Sequence, residues 1–295
     1  MDHRVKTLLA AGLVALAGAV SQPAAAGAAL VDLANLPNPS TAWPFKTCDR
    51  TQHRFIIDAA ATDMCGGDGR LGGPGWAFRP WPGLVQGGQH YLSFYDAGTT
   101  PDSTSKSEFF PTIAVQGLYD VWVSWRATHN RASRAPYYVF ADDGNTYRGV
   151  VDQRGDEGFR AVKLGRFFFL VHRKDKSLVT LVNSEGTHSK GSDGVFIRYV
   201  GPTDVERVRA SKGTHPDKIV VRWDRVLGVR AYRVFRSATT SLADATLVAT
   251  IDPPDEVFTD PLPPGSEFNY WVRAVGALNR TSQHISNRAT GSTAP

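Results

Sequence analysis

One stretch of the chain carries side chains that could bind a sugar. Between Gly117 and Arg126, apolar residues alternate with Asp120, Trp122 and Ser124, which is the period-two pattern of a half-buried strand. The alternation predicts that Trp122 points away from the core, beside Asp120 and Arg126. An exposed indole is a flat apolar surface on which a sugar ring can stack, and charged neighbours can bind its hydroxyls. The alternative is that a loop or the N-terminal segment covers Trp122.

Two loops supply the remaining candidate ligand-binding residues. Trp76 and Trp81 lie in a glycine-rich stretch, residues 65–89, where they either close the end of a core or present a binding surface. Arg131 lies in the loop after the Trp122 strand, and it could bind a carboxylate bidentately or tie the loop to backbone carbonyls. Tyr137 ends that loop and begins the next predicted strand, which we expect to form a hairpin with the first.

The sequence lacks the motifs of the common enzyme classes. It contains no nucleophile elbow, H-E-x-x-H pair, phosphate-binding loop or dinucleotide fingerprint. Asp142, Asp143 and Asn145 offer oxygen ligands of the kind Ca²⁺ takes, but they lack the spacing of a calcium loop and are typical of a turn. We therefore predict no catalytic residues, no cofactor and no metal site.

The pattern of short apolar runs predicts an all-β protein. Nothing between Arg54 and Val200 has a long 3.6-residue apolar period, whereas strand-like runs separated by Gly, Asp, Asn and Ser recur there and beyond. The charged segment from His172 to Lys176 fits a hairpin tip between two apolar runs. The fold class that follows is two β-sandwich domains in tandem.

The segment NRASRAPY (Asn130–Tyr137) carries a family resemblance. It follows the strand GLYDVWVSW and precedes VVDQ and KLGRFFF, and this region resembles the golvesin C-terminal-like domain, also called the golvesin/xanthan lyase carbohydrate-binding-like domain. The resemblance implies a jelly-roll-like β-sandwich over residues 46–202, a module of secreted bacterial proteins, and it does not by itself imply a catalytic site.

A second resemblance covers residues 203–292. The stretches KIVVRWDRVLGVRAYRVFRS and LPPGSEFNYWVRAV resemble a fibronectin type III domain, with Trp223 on the second strand and Tyr232 on the third. This immunoglobulin-like sandwich starts after Gly201-Pro202-Thr203. Phe268 occupies the place of the family's corner tyrosine, so we expect that corner to be held by packing.

The N-terminus predicts export from the cell. Arg4 and Lys6 precede an apolar run and a small-residue A-x-A site, so residues 1–26 are predicted to be a signal peptide, with no membrane insertion after its cleavage. Residues 27–45 are predicted to be an extended arm on the first domain, or else a disordered segment. Outside the cytosol the only two cysteines, Cys48 and Cys65, are expected to form a disulfide that stabilises the fold by about 3 kcal/mol.

The composition leaves three function hypotheses. The net charge of +5 is spread over many arginines without a recognisable nucleic-acid-binding module, so nucleic acid is not an expected partner. The leading hypothesis is a secreted, non-catalytic protein whose first domain binds polysaccharide or cell-wall glycan, with the second domain as a spacer or docking surface. The alternative is a structural or adhesive protein that contacts other extracellular proteins. A polysaccharide-degrading enzyme is the minor alternative, because the resembled module occurs attached to such enzymes.

Overall fold

A computed structural model describes most of the chain after residue 27. The described residues are 28–42, 44, 48–58, 67–73, 76–78, 85–86, 90–91, 95–97, 100–173, 175–185 and 188–295. The predicted signal peptide, Cys65 and Trp81 lie outside them. No helix of the described residues is both long and apolar enough to cross a membrane.

Strands dominate the first domain, up to residue 201. They are β1 (Ala29–Asp32), β2 (Arg54–Asp58), β3 (Gly67–Gly72), β4 (Ala77–Phe78), β5 (Val85–Gln86), β6 (His90–Tyr91), β7 (Tyr95–Asp96), β8 (Asp102–Ile113), β9 (Gly117–Ala127), β10 (Ala135–Phe140), β11 (Asn145–Val151), β12 (Gly158–Phe169), β13 (His172–Arg173), β14 (Val179–Asn183), β15 (Gly191–Ser192) and β16 (Gly194–Gly201). A short 3-10 helix spans Arg50–Gln52. The described residues contain no α-helix, so the all-β prediction is confirmed.

Two sheets of the first domain enclose its main core. One has the order β1-β11-β10-β14-β8-β13, with β3 also paired to β8, and the other has the order β12-β9-β16-β2. The inward side of β9 consists of Tyr119, Val121, Val123 and Trp125, all fully buried. Each such side chain contributes about 2 kcal/mol of apolar burial. The strand that holds Trp122 is therefore a rigid central support.

The two predicted hairpins are wrong. β9 pairs with β12 and β16, whereas β10 pairs with β11 and β14 in the opposite sheet. The segment His172–Lys176 likewise connects β12 to β14, which lie in different sheets. Alternation tells which side of a strand is buried, but the pairing partner depends on distant strands that compete for the same edge. These connections cross from sheet to sheet.

The described part of the N-terminal arm lies along the first domain. β1 adds to the large sheet as a parallel partner of β11, and Ser40 exchanges backbone hydrogen bonds of 2.8 and 2.9 Å with Ala161 of β12. The arm thereby pairs with edge strands of both sheets, which would otherwise be open to other chains.

The second domain is a smaller sandwich. Its strands are β17 (Arg209–Ala210), β18 (Lys218–Arg222), β19 (Ala231–Ser237), β20 (Thr246–Ile251), β21 (Val257–Pro261), β22 (Glu267–Val275) and β23 (Ala289–Ser292), with 3-10 turns at Leu242–Asp244 and Ala277–Asn279. A β17-β18-β21 sheet faces a β20-β19-β22-β23 sheet. Trp223 lies just beyond β18 and packs at a tilt on the buried Tyr232, with ring centroids 5.2 Å apart.

The corner at Phe268 has no hydroxyl on residue 268 itself. The guanidinium of Arg236 lies 4.7 Å from the centre of the Phe268 ring and donates to both carboxylate oxygens of Asp260, at 3.0 and 2.9 Å. The hydroxyl of Tyr270 donates to the same carboxylate at 2.7 Å. A cation stacked on the ring and paired with a buried carboxylate stabilises this corner.

The two domains touch at small residues and through polar contacts. A Cβ at Gly276 would collide with the Tyr199 hydroxyl, and one at Gly228 would collide with the backbone of Gln116. Arg166 of β12 donates a hydrogen bond to the side-chain oxygen of Gln283. Neighbouring atoms lie so close to these two glycines that a larger side chain at either position would collide with them.

Candidate functional site: the outward face of the β12-β9-β16 sheet

The candidate site is built from three neighbouring strands. Lys163 of β12 and Phe196 of β16 flank Trp122, while Arg166 and Arg198 flank Asp120 in the next row. We call the surface formed by Asp120, Trp122, Lys163, Arg166 and Arg198 the Trp122 face. It lies on the opposite side of β9 from the core, as the alternation of the strand predicts.

A bulge in β12 decides which cations reach this face. The register between β12 and β9 shifts between Lys163 and Gly165, so that Leu164 is the extra residue. In a regular strand, residues three apart point to opposite sides of the sheet. The bulge instead brings both Lys163 and Arg166 outward, while Leu164 is buried in the core.

Asp120 is the electrostatic centre of the Trp122 face. Its carboxylate is only 2% exposed, yet it lies 2.8 Å from the Lys163 ammonium, 2.9 Å from Arg166 and 3.2 Å from Arg198. Burial by itself would raise the pKa of Asp120, but hydrogen bonds from these three cations outweigh it and lower the pKa. Three cations share one carboxylate, so this face keeps an excess of positive charge.

Trp122 is half-buried within this charged surrounding. It packs against a small buried cluster of Ile56 and Phe196, which Phe159 and Cys48 also contact. Lys163 Nζ lies 5.4 Å and the Arg198 guanidinium carbon 5.2 Å from the ring centre, at cation–π distance. The cluster therefore covers part of Trp122, and two cations lie over its ring. A sugar would have to stack beside or in place of these cations.

The polar neighbours predicted on β9 itself have other partners. Ser124 is buried and accepts a hydrogen bond from the Gly194 amide at 3.1 Å. Arg126 forms an ion pair with Glu157, at the far end of the strand from Asp120. The cations that do surround Trp122 come from β12 and β16. Alternation in GVFIRYV could have indicated Arg198, but nothing in the sequence marks the bulge that turns Lys163 outward.

Arg131 and Tyr137 have structural positions. Arg131 is only 4% exposed, and its guanidinium donates to the Arg126 carbonyl at 3.1 Å and to the Ser189 hydroxyl at 2.9 Å. Tyr137 is 1% exposed and accepts a hydrogen bond from Gln153 at 3.2 Å. Burial removes Tyr137 from any ligand surface, and Arg131 ties its loop to the neighbouring one.

The predicted residues near the N-terminus are described only in part. Trp76 is half-buried and packs against the main core, which is the core-closing interpretation of this side chain. Cys48 is half-buried, while Cys65 lies outside the described residues, so the disulfide stays a prediction. Trp81 lies outside them as well.

The carboxylates of the Asp142 turn accept hydrogen bonds from neighbouring residues of the protein. Asp142 accepts hydrogen bonds from the Leu170 amide at 2.9 Å, from His172 at 2.6 Å and from Lys176 at 3.1 Å. Asp143 accepts from the Asn145 amide at 3.0 Å, as turn formers do. Across the described ranges, no three His, Cys, Asp or Glu side chains come together in a group that could hold a metal ion.

Residues 79–194 match the model of the Golvesin C-terminal domain family. The match includes β9, the NRASRAPY loop and β12, so the resemblance inferred from those segments is confirmed. It covers less than half of the chain. No curated protein matches the chain.

Several solved structures are similar to parts of the chain. A fibronectin type III-like protein from Clostridium thermocellum is 21% identical over 32% of this chain and 95% of that one, with a TM-score of 0.28. Paenibacillus xanthan lyase is 23% identical over 50% of this chain and 13% of the lyase, with a TM-score of 0.40. Pectate lyase Pel3 from Pectobacterium carotovorum is 27% identical over 30% of this chain and 26% of the lyase, with a TM-score of 0.26. The chain thus spans about a quarter or less of either lyase.

Proposed function

We propose that this protein is a secreted, non-catalytic binding protein that recognises polysaccharide or cell-wall glycan through its golvesin-type domain. The observation that carries the proposal is the Trp122 face, where an indole lies between Lys163 and Arg198 on a rigid sheet. Aromatic surface suits the C–H side of a sugar ring, and guanidinium and ammonium groups suit its oxygens. The family match, and the polysaccharide-degrading enzymes that carry similar segments, support a carbohydrate partner.

The positive charge of the Trp122 face indicates which class of glycan it would bind. Asp120 neutralises only one of the three cations around it, and their side chains are 31% to 39% exposed. A neutral glycan would leave the remaining charge without a partner, whereas a carboxylate-bearing glycan would pair with it. We therefore propose an acidic polysaccharide as the preferred ligand of this face.

The test compares two matched aromatic residues on opposite outer surfaces. Trp122→Ala removes the proposed contact, and Phe110→Ala is the control, because Phe110 of β8 is also half-buried under a cation, with Arg70 4.4 Å from its ring centre. We expect pull-down on insoluble acidic polysaccharides, or a glycan array, to show about tenfold weaker retention for Trp122→Ala only. Equal retention of both variants and the unmodified protein would refute the proposal.

The same experiment separates the other hypotheses. Self-association by light scattering, with no retention on any glycan, would favour an adhesive protein that works through protein contacts. Incubation with each retained polysaccharide should release no fragments, because the proposed role is binding without cleavage. Release that disappears in a variant of the Trp122 face would instead support the enzyme hypothesis.

A further inference from the structure

The second domain carries an open cavity of about 310 Å³ that is rich in arginine. We call it the Arg222 groove, and its side chains include Arg207, Arg209, His215, Arg222, Trp223 and Asp224. A volume of this size accommodates a small ligand or a short segment of a polymer. The groove lies in a domain that is described completely, between β17, β18 and the loops that follow them.

Two arginines of this groove lie directly opposite each other on neighbouring strands. Arg209 and Arg222 are directly opposite in the β17–β18 pair, and both are exposed. Among the described residues, neither has a carboxylate within 4.0 Å, whereas Arg207 pairs with Asp224 at 3.1 Å. Like charges directly opposite on neighbouring strands are destabilising. A bound anion would remove this repulsion.

The groove has apolar as well as charged lining. Val220 contributes a half-buried aliphatic side chain on the same side of β18 as Arg222, whereas Trp223 is 6% exposed and belongs mainly to the core. Planar guanidinium groups bind carboxylates bidentately, and an aliphatic side chain can contact the ring of a sugar. This combination favours a sugar carboxylate over a small inorganic anion.

We propose that the Arg222 groove is a second glycan site, which binds a uronate unit of an acidic polysaccharide through Arg209 and Arg222. The second domain then contributes binding instead of acting only as a spacer. Two sites on one chain would raise the affinity for a long acidic polymer by increasing its effective concentration at the second site. This proposal does not require that the Trp122 face binds the same polymer.

The test uses polygalacturonate and its methyl-esterified form, which keeps the sugar backbone but removes the carboxylate charge. We expect the double variant Arg209→Ala/Arg222→Ala to bind polygalacturonate at least about tenfold more weakly, which corresponds to the loss of two charge-assisted contacts. Arg222→Ala alone should show part of this loss. Arg288→Ala is the matched control, because Arg288 is an exposed arginine of the same domain outside the groove. The esterified polymer should bind all variants equally and weakly.

Several outcomes would overturn the proposal. Unchanged polygalacturonate binding by the double variant would do so, as would an equal loss in Arg288→Ala, which would indicate net charge alone. Equally tight binding of poly-L-glutamate would show that the groove does not recognise the sugar. If Trp122→Ala loses polygalacturonate while the double variant keeps it, the second site fails and the proposed function stands. The reverse pattern would support this groove and show that the Trp122 face does not contribute to the binding of polygalacturonate.

Discussion

The Trp122 face and the Arg222 groove both place arginines near an indole, but their arginines differ in whether a carboxylate lies beside them. On the Trp122 face, three cations gather around the buried carboxylate of Asp120. In the Arg222 groove, Arg209 and Arg222 oppose each other with no carboxylate within 4.0 Å among the described residues. Cations paired with a buried carboxylate stabilise the fold first, and only their surplus charge is available to a ligand. Opposed arginines cost stability, and the anion proposed to bind them would offset that cost.

The largest effect is expected when the buried carboxylate of Asp120 is removed. Asp120→Ala leaves three cations close together on the sheet without their shared partner, so we expect a loss of about 3 kcal/mol in the free energy of unfolding. Urea denaturation measures it. Asp156→Ala is the control, because the Asp156 side chain is 90% exposed, and it should change stability by less than about 0.5 kcal/mol. Similar values for both variants would mean that Asp120 does not organise this face.

Acid should act through the same carboxylate with an intermediate effect. The folded-state pKa of Asp120 is lowered from 3.8, so its contribution is fully present above the unfolded pKa and is lost as the pH falls through the folded pKa. We expect the stability of the unmodified protein to decline below about pH 4, and that of Asp120→Asn to decline less steeply.

Some acid sensitivity should remain in Asp120→Asn. The pKa of Asp142 is also lowered, since hydrogen bonds from His172, the Leu170 amide and Lys176 outweigh the effect of burial. Denaturant curves taken at steps between neutral pH and pH 3 would show the two slopes. Identical slopes for the variant and the unmodified protein would contradict the assignment to Asp120.

The smallest effect on stability is expected in the Arg222 groove. Arg222→Ala removes a like-charge pair across β17 and β18, so it should leave stability unchanged or raise it by up to about 0.5 kcal/mol. The gain should shrink at high salt, which screens exposed charges. Thermal unfolding at low and high NaCl measures it, with Arg288→Ala as the reference. A loss above about 1 kcal/mol would mean that Arg222 has a structural partner.

The two domains also differ in how well sequence patterns predicted them. In the second domain, the third strand, expected to carry Tyr232, is present as β19 (Ala231–Ser237). In the first, the expected hairpin of β9 and β10 is wrong, because these strands lie in different sheets. Short-range antiparallel pairs such as β19–β20 are set by local alternation and turns. Strands that cross between sheets are decided by long-range packing.

The candidate site shows the same division. Alternation in β9 was sufficient to place Trp122 and Asp120 on the outer side, because side chains of a strand must point to opposite faces in turn. It was not sufficient to identify Lys163 or Arg166, since a bulge at Leu164 brings both outward. It also suggested Arg126 as a ligand-binding residue, whereas Arg126 forms an ion pair with Glu157. Tyr137, a candidate from the following loop and strand, is buried in the core.

The sequence by itself therefore determined the all-β class, the family resemblances and the outward side of the Trp122 strand. These depend on residue type and period, which are local properties of a chain. Only the tertiary structure decided which cations surround Asp120, how much of Trp122 is covered, and that Arg209 opposes Arg222. Those features arise where residues distant in the chain meet, and register, bulges and sheet pairing set them through the packing of the whole domain.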